Sequence, residues 1–105
     1  MATRFGLWSK LKPDMLEEYD RLHKSVWPLV LSIISSCNIH NYSIFRTDDV
    51  LFTYYEYTGN NYESDMKKMD SDPTMQKWNE ITDPCFIKTD DDEFYVAMKE
   101  VFHID

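Results

Sequence analysis

Apolar and polar residues alternate in RFGLWSKL, around Phe5, Leu7 and Trp8, and the alternation predicts a first strand over residues 4–11. The period then changes. KPDMLEEYDRLHKS places apolar residues at helical spacing, with Pro13 suited to a first turn and Asp14, Glu17 and Glu18 near the positive helix end. Pro28 ends or redirects this helix, and PLVLSIISSC predicts another with the proline at its start. NIHNYSIFRTDDVLFTYYEYTG reads as two strands around a turn at Thr47-Asp48-Asp49. In the next segment Met66 and Met69, then Met75, Trp78 and Ile81, recur at helical spacing, and Asp72-Pro73 breaks the run into two helices. A loop, CFIKTDDDE, leads to a last predicted strand, FYVAMKEVFHI.

The order is β-α-β-β-α-β with both helical segments split. It predicts an α+β, ferredoxin-like fold, one antiparallel sheet with helices on one face, and residues 1–105 as one domain. The opposite face of such a sheet is left apolar and open, and pairing of two copies is the usual way to cover it.

Composition narrows the partners. With 43% hydrophobic and 15% aromatic residues the chain has enough apolar surface for a real core, so disorder is excluded. The aromatic excess fills a core, or offers ring faces to the C–H faces of a sugar. A net charge of −8 argues against binding a nucleic-acid backbone or an anionic membrane, and favours a neutral or cationic small molecule or a protein. The N-terminal MATRFGLWSKLKPD has no apolar run of the signal-peptide kind, and WPLVLSII is too short to span a bilayer, so a cytoplasmic setting is expected. Cys37 and Cys85 lack metal-ligand spacing and are expected to be reduced and structural. Asp90-Asp91-Asp92 is expected to be a solvated loop rather than a metal site.

One stretch stands apart from packing logic, EEYDRLHKSVWP. Tyr19, His23 and Trp27 follow one another at four-residue intervals, and Leu16, Tyr19, His23, Val26, Trp27 and Val30 share a stripe if helicity continues through Pro28. A histidine on an apolar face reads equally as a hydrogen-bonded core residue. The same face also carries a phenol and an indole, each needing a polar partner if buried. Periodicity leaves core and ligand site both open.

The chain resembles the L-rhamnose mutarotase family nearly end to end. The likeness lies in PDMLEEYDRLHKSVWP (13–28), HNYSIF (40–45), LFTYYE (51–56), QKWNEITDP (76–84) and KEVFHID (99–105). The resemblance implies ferredoxin-like protomers paired into a dimeric α/β barrel, a homodimer that interconverts the α and β anomers of L-rhamnose without metal or organic cofactor. It implies His23 as proton donor and Tyr19, Tyr42 and Trp78 as sugar contacts, with Asn79 at a substrate-binding position where many relatives carry a second Trp. Histidine suits the chemistry, since it titrates near neutrality and serves as acid and base in turn. Two further departures are Leu29, where an acidic residue is common, and Asn38, where glycine is usual; Asn tolerates a left-handed backbone better than most residues.

Other candidates have simpler readings. His40 and Tyr42 are expected on one face of their strand with Asn41 on the other, and His40 is read as structural or interfacial. His103 is expected at an interface or surface in the last strand. Glu17 and Glu18 are read as helix-dipole partners, whereas Glu56 or Glu100 is a candidate base beside His23. The alternative function is a non-catalytic carbohydrate-binding or protein-interaction dimer, supported by Asn79 and Leu29. A cofactor-free monooxygenase or haem-handling protein of the same fold finds no motif of its own here.

Overall fold

The computed structural model describes residues 2–105. Strand β1 runs Thr3–Leu11, helix α1 Leu16–His23, α2 Pro28–Ser36, β2 Ile39–Thr47 and β3 Val50–Tyr57. Helices α3 (Tyr62–Asp70) and α4 (Pro73–Thr82) follow, then two short strands, β4 (Phe86–Ile87) and β5 (Val96–Met98). The breaks fall where local chemistry requires them. Helix α1 ends at His23; Pro28 holds Trp27 extended (ψ 133°), so the helix cannot run through, and helicity restarts with the proline at the first position of α2. Asp72 caps α4 by accepting from the Thr74 and Met75 amides at 2.8 and 3.1 Å, with Pro73 beside it.

The strands form an antiparallel sheet in the order β2-β3-β1-β4, as expected for the ferredoxin-like plan. Leu7 lies opposite Thr53 and Ser9 opposite Leu51, and with Leu11 these residues face the helices. Leu11, Leu51, Tyr19, Cys85 and Phe86 form one core cluster; Val30, Met75 and Trp78 form a second between α2 and α4. On the other face Trp8 lies opposite Phe52, and Phe45 is 62% exposed.

The last strand differs from expectation. Instead of one strand beginning at Phe94, the edge of β1 is shared: β4 pairs at Lys10 and Leu11, and β5 pairs at Gly6–Trp8. Residues 88–95 leave the sheet between them. Phe86 is the cause, because its ring is only 5% exposed in the core and anchors the strand eight residues early. Residues 99–105 form no strand, and Val101, Phe102 and Ile104 are exposed.

Strand β2 holds a second departure. His40 pairs with Glu56 and Ser43 with Tyr54, so Asn41 and Tyr42 together oppose Tyr55. Asn41 takes a left-handed conformation (φ 49°), and its amide donates to Glu56 at 2.9 Å. This bulge breaks the alternation. Simple pairing would set Tyr42 opposite Tyr54 on the outer face; the extra residue turns it to the helical side, beside the Tyr55 ring at 5.7 Å. His40 and Tyr42 therefore lie on opposite faces. Asn38, after α2, is also left-handed (φ 67°), as its residue type allows.

Candidate active site

Tyr19 and His23 occupy successive turns of α1, and their rings stack at 4.0 Å. His23 Nδ1 lies 2.9 Å from the Tyr19 carbonyl oxygen. A carbonyl only accepts, so Nδ1 carries the hydrogen and Nε2 is the nitrogen left for other partners. Trp78 stands edge-on to His23 at 5.6 Å and to Trp27 at 5.2 Å. Trp27 thus secures the start of α2 against α4 and takes no part in the cleft wall; the six-residue stripe does not exist as one helical face.

A cavity of about 480 Å³ opens between the helices and the sheet, within the range of small-molecule sites. Tyr19, His23, Tyr42, Trp78 and Asn79 all line it, brought together from α1, β2 and α4. The structure adds Tyr55, Tyr95 and Asp83. Asp83 was legible in principle, since it lies one turn beyond Asn79 along α4. Tyr55 follows from its place opposite Phe5 in the sheet. Tyr95 carries no such signal, because it enters the cleft from the 88–95 excursion.

Burial raises the pKa of Tyr19, Tyr42, Tyr55 and Tyr95 above that of an ordinary phenol, and for Tyr55 a hydrogen bond to Tyr62 adds to it. These phenols remain protonated donors at neutral pH. Tyr42 is 43% exposed by area despite that desolvation. Asp83 is exposed by area at the cleft edge; partial desolvation raises its carboxyl, with the Lys88 charge opposing the shift.

The other expected candidates lie elsewhere. Glu56 accepts from Asn41 and Tyr54, at 2.9 and 2.8 Å, and lines no part of the cleft. Glu100 is held by Arg4 at 2.9 and 3.0 Å. Neither is placed to serve as base beside His23: Glu56 extends from the outer face of the sheet, Glu100 lies beyond β5 on Arg4, and neither lines the cleft. His103 lies in the C-terminal segment, 2.8 Å from Asp105, rather than in a strand. Glu18 pairs with Arg21 on α1. Cys37 and Cys85 are fully buried, free thiols. Among the described residues no three His, Cys, Asp or Glu side chains are grouped to hold a metal ion.

The fold alone serves several chemistries. A type-II polyketide cyclase, tetracenomycin F2 cyclase from Streptomyces glaucescens, shares it at 15% identity and a TM-score of 0.64, over 98% of this chain and 99% of its own. The sequence comparisons select a narrower class, the carbohydrate isomerases. The model of the L-rhamnose mutarotase family matches residues 4–104, and the chain belongs to that family. An L-rhamnose mutarotase from Oceanobacillus iheyensis is 33% identical over 97% of this chain and 98% of its own length. Another, from Phocaeicola vulgatus, is 30% identical over 90% and 91%. The crystal structure of an L-rhamnose mutarotase from Formosa agariphila superposes with a TM-score of 0.79 over 98% of this chain and 99% of its own, at 19% identity. The activity class is that of a sugar mutarotase.

Proposed function

We propose that the protein interconverts the α and β anomers of L-rhamnose or a close relative such as L-fucose, with His23 as proton carrier and no cofactor. Mutarotation opens the pyranose to an aldehyde. A proton goes to the ring oxygen, another leaves the anomeric hydroxyl, and after rotation about C1–C2 the ring closes with both transfers reversed. The observation that carries the reading is the anchoring of His23: Nδ1 is committed to the Tyr19 carbonyl, so Nε2 is the exchanging position of a residue lining the cleft. Tyr19 and Tyr42 act as hydroxyl partners for the sugar. Trp78 supplies apolar wall, and Asn79 offers an amide where stacking surface is usual, which bears on sugar preference. A neutral monosaccharide suits an acidic chain of net charge −8, and nucleic acid and membranes are not partners in this reading.

The same reading includes a cytoplasmic homodimer paired through the outer sheet face. Phe45, Phe52, Met98 and the terminal Phe102 are exposed there and in the adjoining C-terminal segment, at 62, 39, 40 and 78%. Sedimentation of the purified protein at twice the protomer mass is the expected result. The functional test is NMR exchange spectroscopy between the anomeric signals of L-rhamnose and of L-fucose, with and without protein. Faster exchange of either sugar supports the reading, and rates equal to buffer for both overturn it. Activity then has to be read as kinetic benefit, since anomers equilibrate spontaneously and the equilibrium does not move.

A further inference from the structure

Ring opening needs two groups, one that gives a proton to the ring oxygen and one that takes a proton from the anomeric hydroxyl. His23 accounts for one. The carboxylates around it are mostly committed: Asp20 on the same helix is bound by Arg46 through contacts of 2.9 and 2.6 Å, and Glu18 is bound by Arg21. Only two carboxylates line the cleft among the described residues, Asp70 and Asp83. They sit at different ends. Asp70 closes α3 beside Met69, on the side where Met75, Val30 and Ile34 gather. Asp83 begins the turn over 83–85 that packs against α1, the helix of Tyr19 and His23. From there a chain of rings runs back to the histidine: Tyr95 against Phe86 at 5.4 Å, Phe86 edge-on to Tyr19 at 5.8 Å, Tyr19 stacked on His23 at 4.0 Å.

We infer that Asp83 is the second catalytic residue, the base that accepts the anomeric proton while protonated His23 acts on the ring oxygen. The inference rests on the mutarotase reading and deepens it. Asp83 takes the hydrogen of O1, the O–H electrons form the C1=O bond, and the C1–O5 pair leaves to O5, which takes the proton from His23 Nε2. The aldehyde, neutral imidazole and carboxylic acid result. Rotation about C1–C2 followed by the reverse transfers restores both groups, so no proton is gained or lost over the cycle.

The surroundings of Asp83 suit the task. Its carboxylate has no hydrogen bond or ion pair within the described residues, in contrast to Asp20, Glu18, Glu56 and Glu100. Lys88 and the Tyr95 phenol are the charged and titratable groups acting on it, from the excursion after β4. Although Asp83 is exposed by area, partial desolvation at the cleft edge raises its carboxyl above the usual carboxylate range, with the Lys88 charge opposing. Asn79, one turn earlier on α4, lines the same cleft and offers an amide for a neighbouring sugar hydroxyl.

The test compares wild type, Asp83→Asn, Asp83→Glu and Asp70→Asn by anomeric exchange of L-rhamnose over pH 4–9, with sugar binding followed by protein chemical shifts. Asp83→Asn is expected to lose about a hundredfold or more in protein-dependent exchange, with binding altered only a few-fold. The acid-side limb of the wild-type pH profile should vanish with it, and Asp83→Glu should restore part of the rate. An Asp83→Asn protein that exchanges at the wild-type rate with an unchanged profile overturns the inference. So does a loss confined to Asp70→Asn. An inactive wild type refutes the mutarotase reading instead, which separates the two failures.

Discussion

Replacing His23 by alanine removes the proposed proton carrier and leaves a hole whose shape is known. The imidazole lies between the Tyr19 ring at 4.0 Å and the Trp78 edge at 5.6 Å, with Nδ1 on the Tyr19 carbonyl. Two magnitudes follow. Loss of a positioned acid–base group costs about 100- to 10,000-fold in rate, about 2.7–5.4 kcal/mol of barrier. Loss of the ring contacts and one hydrogen bond costs about 1–3 kcal/mol of stability. At ~4–8 °C per kcal/mol the variant melts several degrees lower, so exchange has to be measured well below its midpoint. The assay is anomeric exchange of L-rhamnose over a buffer blank, because uncatalysed exchange sets the floor. Imidazole added to His23→Ala then provides a second readout. It should restore protein-dependent exchange by filling the vacated slot, beyond what imidazole does alone. A variant within threefold of wild type, folded by its near-ultraviolet spectrum, would refute the assignment of His23.

Three further outcomes are expected. Ser9 is fully buried with a hydroxyl lacking any partner among the described residues, so Ser9→Ala should raise stability by about 1 kcal/mol in urea unfolding; a loss of stability would contradict the missing partner. Asn41→Val should destabilise by about 1–2 kcal/mol and lower sugar affinity, whereas Asn41→Gly should retain affinity, since only the glycine accepts the left-handed bulge without strain. Glu18, Asp20, Glu56, Asp65 and Glu100 all have folded pKa values below their ordinary ones, held by hydrogen bonds from Arg21, Arg46, Asn41, Tyr57 and Arg4 respectively. Their stabilisation is present above the unfolded carboxylate range and is lost as pH falls through the folded values; Asp83, raised, acts with the opposite sign. The urea midpoint should therefore fall from about pH 5 to about pH 3, and a flat profile would contradict these contacts.

The breaks between elements were legible because single residues enforce them. Pro28 and Asp72-Pro73 act through backbone geometry that no tertiary contact reverses, and both split helices end where these residues require. Strand β2 was less legible, because alternation assumes one residue per partner and the Asn41 bulge supplies two. The edge of β1 was misread for another reason. FYVAM has stronger strand character than Phe86-Ile87, but burial of the Phe86 ring decides where the edge begins, and burial is a tertiary property. In the candidate site, the helical interval only singled out His23 and the family resemblance supplied its role, while its neighbours arrive from β2, α4 and the excursion after β4. Tyr95 was invisible because the path of residues 88–95 is set by where they leave and rejoin one strand.

That departure and return decides how the cleft is walled. Ile87 leaves opposite Lys10 and Val96 rejoins opposite Trp8, so the eight residues between span only a short gap along β1. The ladder on either side fixes both ends, and the excursion bears none of the sheet's pairing. It is tied to the body by side chains instead, since Phe94 packs against the core ring of Phe86 at 5.4 Å. Two aromatic rings that wall the cleft, Phe94 and Tyr95, ride on this piece, both packed against Phe86. The cleft is thus walled on one side by the helices and the paired strands, with His23 among them, and on the other by a segment that lies outside the ladder.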